Sequence, residues 1–152
     1  MSRLRKIIDK LRNEILIRLE TPIKGYRRVI FNNMEKLYAC LKKGDILLLE
    51  GRSRMSQIIK VFSQSHWSHV GMYVGDELIN EQTESGETYL EKFGSDANHL
   101  LIEAFTGQGV IATPISRYIN DNIRICRPYG ITPEDLHSVI TNVAENIGKR
   151  HV

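Results

Sequence analysis

The stretch from Ser65 to Gly75 places the strongest constraint on the fold of this chain. Its pattern predicts a buried strand that also carries reactive side chains. Side chains alternate across a strand, so this segment has two distinct faces. One face is apolar and needs a core to cover it; its members are Val70, Met72 and Val74. The other face combines an imidazole, a gap and a phenol, as one edge of a cleft would; its members are His69, Gly71 and Tyr73.

Length and composition indicate a single ordinary globular domain. A chain of 152 residues can bury a sizeable core without metal or disulfide staples. It has no apolar run near the roughly 20 residues that span a bilayer, and no apolar signal core follows the charged N-terminus, so we expect a cytoplasmic protein. The two cysteines, Cys40 and Cys126, lack CxxC or zinc spacing and are expected to be buried, unpaired thiols. We expect no cofactor and no metal.

The charge is distributed unevenly along the chain. Residues 1–43 contain 12 of the 21 Lys and Arg but 4 of the 18 Asp and Glu, a balance of +8, which leaves −5 for residues 44–152. A basic leader on a mildly acidic body suggests a separate element. We therefore predict a basic N-terminal helical extension at 1–43 and a main domain at 44–152.

Residues 3–19 have apolar side chains at three- and four-residue steps, which predicts a helix with a basic polar face. Such a helix lies either on an anionic membrane or a partner, or on the body of the protein with its basic side chains in solvent. We favour packing on the body, because acidic residues dilute the charge and no Trp or Phe anchors the apolar stripe. Nucleic-acid binding is not expected, since no recognition motif accompanies the basic residues.

The remaining pattern is a mixture of helices and short strands, which predicts an α+β fold with a small, mostly antiparallel sheet. A second helix is allowed within 22–41, and Glu77–Asn80 is a candidate hairpin partner of the central strand. Ser53 is predicted to cap a helix over 54–63 whose Met55 and Phe62 lie in the core, and Thr132 to cap the last helix. The other predicted elements are strands at 46–51, 100–105, 110–111 and 123–128, a surface loop at 81–98 and a helical turn at 114–119.

One carboxylate, Glu103, interrupts the apolar strand at 100–105. A charge there is costly unless it is paired or faces a polar cleft. An imidazole and a carboxylate on adjacent strands can form a base and its orienting group. The sequence therefore marks His69 and Glu103 as a candidate pair.

Several short motifs occur in a fixed order: Gly44-Asp45-Ile46-Leu47-Leu48, Ser68 to Gly75, Ile102-Glu103-Ala104, Gly109-Val110 and Arg127-Pro128. This succession resembles the circularly permuted papain-like cysteine hydrolases, the YiiX/YebB-like branch of the NlpC-type superfamily, whose cousins are the lecithin:retinol acyltransferase-like proteins. The resemblance covers roughly residues 41–150. It implies a small antiparallel sheet or barrel packed with helices.

The resemblance implies a thiol hydrolase in which His69 is the general base and Glu103 orients it. It places the nucleophilic cysteine at the start of a helix beyond residue 152, a position that neither Cys40 nor Cys126 matches. The implied substrates are an amide bond in a peptide or cell-wall fragment, or an acyl bond in a lipid. The alternative is a non-catalytic binding module of the same fold, docked through its basic helix.

The residues also allow alternative roles at this site. His69 is either the base or a hydrogen-bonded structural histidine, and His66 is a competing base. Glu103 could instead form a buried ion pair with Arg124 or Arg127. Tyr73 either supports the site or only packs in the core.

Overall fold

A computed structural model describes residues 3–21, 31–105 and 107–149. Five α-helices are found there: α1 (Arg3–Glu20), α2 (Met34–Cys40), α3 (Arg54–Ser63), α4 (Tyr89–Phe93) and α5 (Pro133–Ala144). The five strands are β1 (Ile46–Leu49), β2 (His69–Gly75), β3 (Leu100–Phe105), β4 (Gly109–Pro114) and β5 (Ile123–Cys126). Two 3-10 helices span Gly94–Asn98 and Ile115–Tyr118. The helix allowed within 22–41 is therefore seen at Met34–Cys40, and its part at 22–30 lies outside the described residues.

The strands form one antiparallel sheet in the order β4-β3-β2-β1-β5, with β2 at its centre. The prediction of an α+β fold with a small antiparallel sheet is confirmed. The barrel option is wrong for the described residues, because β4 and β5 are the two edges of an open sheet. The central position of β2 gives it strand neighbours on both sides, so His69 lies inside the sheet.

Both faces of the sheet are covered by apolar side chains. The face that carries Tyr73 packs beneath α2 and the second 3-10 helix; its buried members are Leu41, Leu47, Leu49, Tyr73, Leu101, Ile115 and Tyr118. The face that carries Val74 packs beneath α4 and α5; its buried members are Val74, Leu78, Tyr89, Ala97, Leu100, Ile102 and Ile140. This arrangement explains why β1 and β3 are apolar at almost every position.

The predicted helix starts are confirmed. The Ser53 hydroxyl accepts a hydrogen bond from the Ser56 amide at the start of α3. The Thr132 hydroxyl accepts a hydrogen bond from the Asp135 amide at the start of α5. Pro133 occupies the first position of α5, where its missing N–H costs nothing.

Two predictions between β2 and β3 are wrong. Glu77–Asn80 does not pair with β2 but forms consecutive turns, because the Leu78 side chain is drawn into the core and Lys43 binds both Asp76 and Glu77. The segment 81–98 is not only a surface loop. It contains α4, which begins with a capping box at Thr88 and Glu91, and its Tyr89 side chain is buried.

Some expected core residues are exposed. Phe62 in α3 is 86% exposed and Val70 at the start of β2 is 52% exposed, so neither is a core residue. Cys40 is exposed and Cys126 is half-buried, which corrects the prediction of two buried thiols; both are unpaired, as expected. A helical period locates an apolar stripe but does not establish what covers it.

Helix α1 confirms the helix predicted at 3–19, and it lies against α3. Its apolar side chains are nevertheless half-exposed, among them Ile7, Ile8, Leu11, Ile15 and Ile17. Ile17 does not belong to the predicted stripe, whose expected burial on the body is wrong for Ile7, Ile8, Leu11 and Ile15. No helix in the described part of the chain is long and apolar enough to cross a bilayer. The division at residue 43 and the cytoplasmic location stay predictions.

An ion pair between a buried carboxylate and a half-exposed guanidinium lies at one end of the sheet. Asp45 is 1% exposed and accepts hydrogen bonds from Arg127 Nε and Nη2, both at 2.7 Å, and from the Lys42 amide at 2.8 Å. Burial raises the pKa of Asp45, but the bonds from Arg127 and Lys42 outweigh it and hold this pKa below its ordinary value. The pair joins the loop before β1 to the end of β5.

We expect Asp45→Asn to lower the free energy of unfolding at pH 7 by about 1–3 kcal/mol, because a buried charge-assisted pair is broken. A depressed folded pKa stabilises the fold above the unfolded pKa, so the difference from wild type should shrink as the pH falls below about 4. Urea denaturation across this pH range measures both effects. Asp76→Asn, at an exposed pair with Lys43, is the control; equal losses in the two variants at pH 7 would contradict the assignment.

Candidate active site

His69 and Glu103 are brought together by the register of β2 and β3. Gly71 lies opposite Glu103, so His69 is the diagonal neighbour of Glu103 on the same face of the sheet. His69 Nε2 lies 2.7 Å from Glu103 Oε2. A carboxylate only accepts, so we assign the proton of this bond to Nε2.

Glu103 is fully enclosed by the protein. Its side chain is 0% exposed, and its Oε2 atom also accepts a hydrogen bond of 2.6 Å from the Tyr118 hydroxyl. Its Oε1 atom is buried and has no hydrogen-bond partner among the described residues. The carboxylate thus depends on His69 and Tyr118 to offset the cost of its burial.

The alternative pairing of Glu103 with Arg124 or Arg127 is wrong. Arg127 binds Asp45, and the Arg124 guanidinium lies over the Trp67 ring, 5.7 Å from its centroid. The strand register explains why Arg124 does not reach Glu103. Arg124 pairs with Leu48 of β1, and Leu48 pairs with Val70 of β2, so Arg124 lies on the face of the sheet opposite to Glu103.

Tyr118 is a site residue that the sequence did not reveal. It lies in the 3-10 helix after β4, within a segment predicted only as a helical turn. Burial, and then the neighbouring Glu103 carboxylate, raise the pKa of Tyr118 far above its ordinary value, so its hydroxyl stays protonated and donates. The sequence indicated that a buried Glu103 carboxylate requires a hydrogen-bond donor, but it did not show which residue is that donor.

His69 faces a cavity while Glu103 lies behind it. The imidazole is 21% exposed and packs on the Phe105 ring at a centroid distance of 4.9 Å. Its Nδ1 atom has no hydrogen-bond partner among the described residues. The cavity has a volume of about 340 Å³, and its lining includes Gly51, Ser56, Ser68, His69, Phe105 and Tyr118. This arrangement leaves Nδ1 as the nitrogen that can exchange a proton with a bound group.

The other predicted site residues lie apart from this pair. Tyr73 shares the face of His69, but its hydroxyl forms a 2.7 Å hydrogen bond with His99 Nδ1. The His99 ring also stacks on the Tyr38 ring at a centroid distance of 3.6 Å, and burial lowers the pKa of His99. His66 is exposed and makes no described contact with Glu103.

Neither cysteine lies beside His69. Cys126 pairs with Ile46, which pairs with Met72, so its side chain emerges on the face opposite to His69. Cys40 ends α2, and its carbonyl accepts from Arg127 near the Asp45 end of the sheet. The pleat thus supports the prediction that Cys126 is not the nucleophile. No group of three His, Cys, Asp or Glu side chains suited to a metal occurs among the residues described.

The open antiparallel sheet, the helices on both faces and the His69–Glu103 pair are consistent with a permuted papain-like hydrolase. A model of the permuted papain-like amidases, described as the YaeF/YiiX or C92 family, matches residues 40–151. The chain belongs to this family. The match begins at the end of α2 and includes both members of the pair. No significant match to a curated protein was found.

We expect Tyr118→Phe to lower the free energy of unfolding by about 1–2 kcal/mol, because it removes a donor to a buried carboxylate without changing the shape of the ring. Urea denaturation at pH 7 measures the loss. Tyr129→Phe is the matched control, since that side chain is fully exposed. Equal stability of the two variants would show that the Tyr118 hydroxyl does not support Glu103.

Proposed function

We propose that this protein is a thiol-dependent amidase in which His69 is the general base and Glu103 orients it. The observation that carries the proposal is the 2.7 Å contact between His69 Nε2 and a fully buried Glu103 carboxylate, with the His69 side chain lining a cavity. The membership in a family of papain-like amidases supports the reaction class.

The proposed reaction uses the two nitrogens of His69 for different tasks. Nδ1 takes the proton of a thiol, and the thiolate attacks the carbonyl carbon of an amide. Glu103 keeps the other proton on Nε2 and stabilises the imidazolium that forms. His69 then returns the proton to the leaving amine, and water releases the acyl group from sulfur by the same route.

We propose that the thiol belongs to a cysteine beyond residue 152. Two observations support this: Cys126 emerges on the wrong face of the sheet, and Cys40 lies near its other end. A cysteine carried by a following helix would have to approach the cavity from the side of Nδ1. The proposed substrate is an amide in a peptide or a cell-wall fragment, with an acyl bond in a lipid as a further option.

The same placement of the cysteines favours a second candidate, a binding module that retains the fold without chemistry. In that case the His69–Glu103 pair only stabilises the sheet. The two candidates differ in whether a protein that includes the following segment turns over an amide, and in whether His69 matters for it.

In a natural form extending past residue 152, we expect His69→Ala to lower amide hydrolysis by about a hundredfold or more, because the thiol loses its base. His66→Ala is the matched control and should retain activity. Circular dichroism establishes that both variants are folded. Comparable activity of His69→Ala and wild type would refute the catalytic role.

Replacing both cysteines of this chain should leave that activity intact. We expect Cys40→Ser with Cys126→Ser to hydrolyse the amide within about twofold of wild type, while iodoacetamide still inactivates the double variant. Loss of activity in the Cys126→Ser single variant would instead assign the nucleophile to β5. Resistance to iodoacetamide would exclude a thiol mechanism altogether.

A further inference from the structure

We infer that α1 and α3 together form a docking surface for an anionic lipid bilayer. The inference starts from apolar side chains that the fold leaves uncovered. Ile8, Leu11 and Ile15 in α1 are 54–56% exposed and line a shallow groove, although α1 lies against α3. A stripe with the spacing of a packed helix face therefore remains in solvent.

Helix α3 adds a second set of uncovered apolar side chains. Val61 is 75% exposed and Phe62 is 86% exposed, and both lie in the last turn before Gln64. Ile58 and Ile59 are also exposed on the preceding turn. An aromatic side chain and several aliphatic ones on two adjoining helices match what an interfacial helix inserts into the boundary between headgroups and acyl chains.

The charges around these apolar side chains indicate which partner binds the surface formed by α1 and α3. Helix α1 contains six Lys and Arg against three Asp and Glu. Helix α3 has no acidic residue and adds Arg54, whereas its Lys60 is nearly buried and paired with Glu50. Two copies of α1 facing each other would bring like charges together, which opposes a dimer through this surface. An anionic bilayer offers opposite charge to the basic side chains and an apolar layer to the stripe.

The remaining charges would orient the docked protein. Residues 44–152 carry a balance of −5, and several carboxylates line a groove across the sheet from α3: Glu77, Glu81, Glu84 and Glu145. Anionic headgroups repel the acidic groove and attract the basic helix α1, so they favour one orientation of the protein on the membrane. Because Glu20 of α1 and Ile59 of α3 line the His69 cavity, this orientation brings the cavity near the bilayer.

Vesicle co-sedimentation of the whole chain tests the inference without any measure of turnover. We expect binding to phosphatidylserine-containing vesicles at low salt, weaker binding at high salt, and little binding to phosphatidylcholine alone. No binding to the anionic vesicles at low salt would overturn the inference and leave the proposed chemistry untouched. Equal binding to both lipids would overturn the charge argument on which it depends.

Paired variants locate the surface. Lys10→Gln with Arg18→Gln should weaken partitioning by about twenty-five-fold, since each basic side chain near an anionic surface contributes about fivefold. Lys36→Gln with Lys92→Gln changes the net charge equally at exposed positions on other helices and should have a much smaller effect. Equal losses in the two double variants would mean that only net charge matters, which contradicts a defined surface.

The apolar part of the surface has its own test. Phe62→Ser should weaken binding by about tenfold, while Tyr129→Ser, at another fully exposed aromatic side chain, should leave it unchanged. Light scattering on the same samples checks for self-association. A dimer that Phe62→Ser dissociates, together with no vesicle binding, would assign the surface to a second copy of the chain and overturn the inference.

Discussion

The burial of one carboxylate, Glu103, is the constraint on which the site depends. The side chain is excluded from solvent, and a charge in such a place is tolerated only if donors satisfy it. Two donors converge on its Oε2 atom, the His69 imidazole from the neighbouring strand and the Tyr118 hydroxyl from the 3-10 helix. Each of them is held in place, because moving either would leave the buried carboxylate with only one of its two donors. The requirement for satisfied charge thus sets the ring orientation that a general base needs.

The sheet provides this geometry through its register. Because Gly71 pairs with Glu103, His69 is the diagonal neighbour of Glu103 on the same face of the sheet. Cys126 lies on the opposite face, since it pairs with Ile46, which pairs with Met72. A shift of one residue between β2 and β3 would turn His69 and Glu103 to opposite faces. The two apolar cores on either side of the sheet oppose such a shift, because it would expose one set of side chains and bury polar ones.

Much of this fold could be predicted from local pattern. The alternation of His69, Gly71 and Tyr73 located the central strand, and the isolated carboxylate in β3 pointed to its partner. The caps at Ser53 and Thr132 located two helix starts. These features succeed because they depend on neighbours in sequence. Tyr118 could not be identified, because its role depends on how the segment after β4 folds back on β3.

Exposure was harder to predict for a related physical reason. The stripes of α1 and the Phe62 side chain have the spacing of packed faces, but whether a face is covered depends on distant elements and on partners outside the chain. The same reasoning applies to Asp45, because its place in the motif before β1 does not reveal that its side chain is buried and paired with Arg127. The local sequence shows the spacing of apolar side chains, but the tertiary structure determines whether those side chains are buried.

The position of the proton on the neutral His69 ring shows whether Glu103 orients the imidazole as described. Nitrogen-15 chemical shifts of the histidine rings distinguish a proton on Nε2 from one on Nδ1, with the exposed His137 as an internal reference. We expect neutral His69 to carry its proton on Nε2, held by Glu103, and to keep Nδ1 unprotonated. A proton found on Nδ1 would contradict this expectation, because the imidazole could then neither donate to Glu103 as described nor accept a proton from the cavity side.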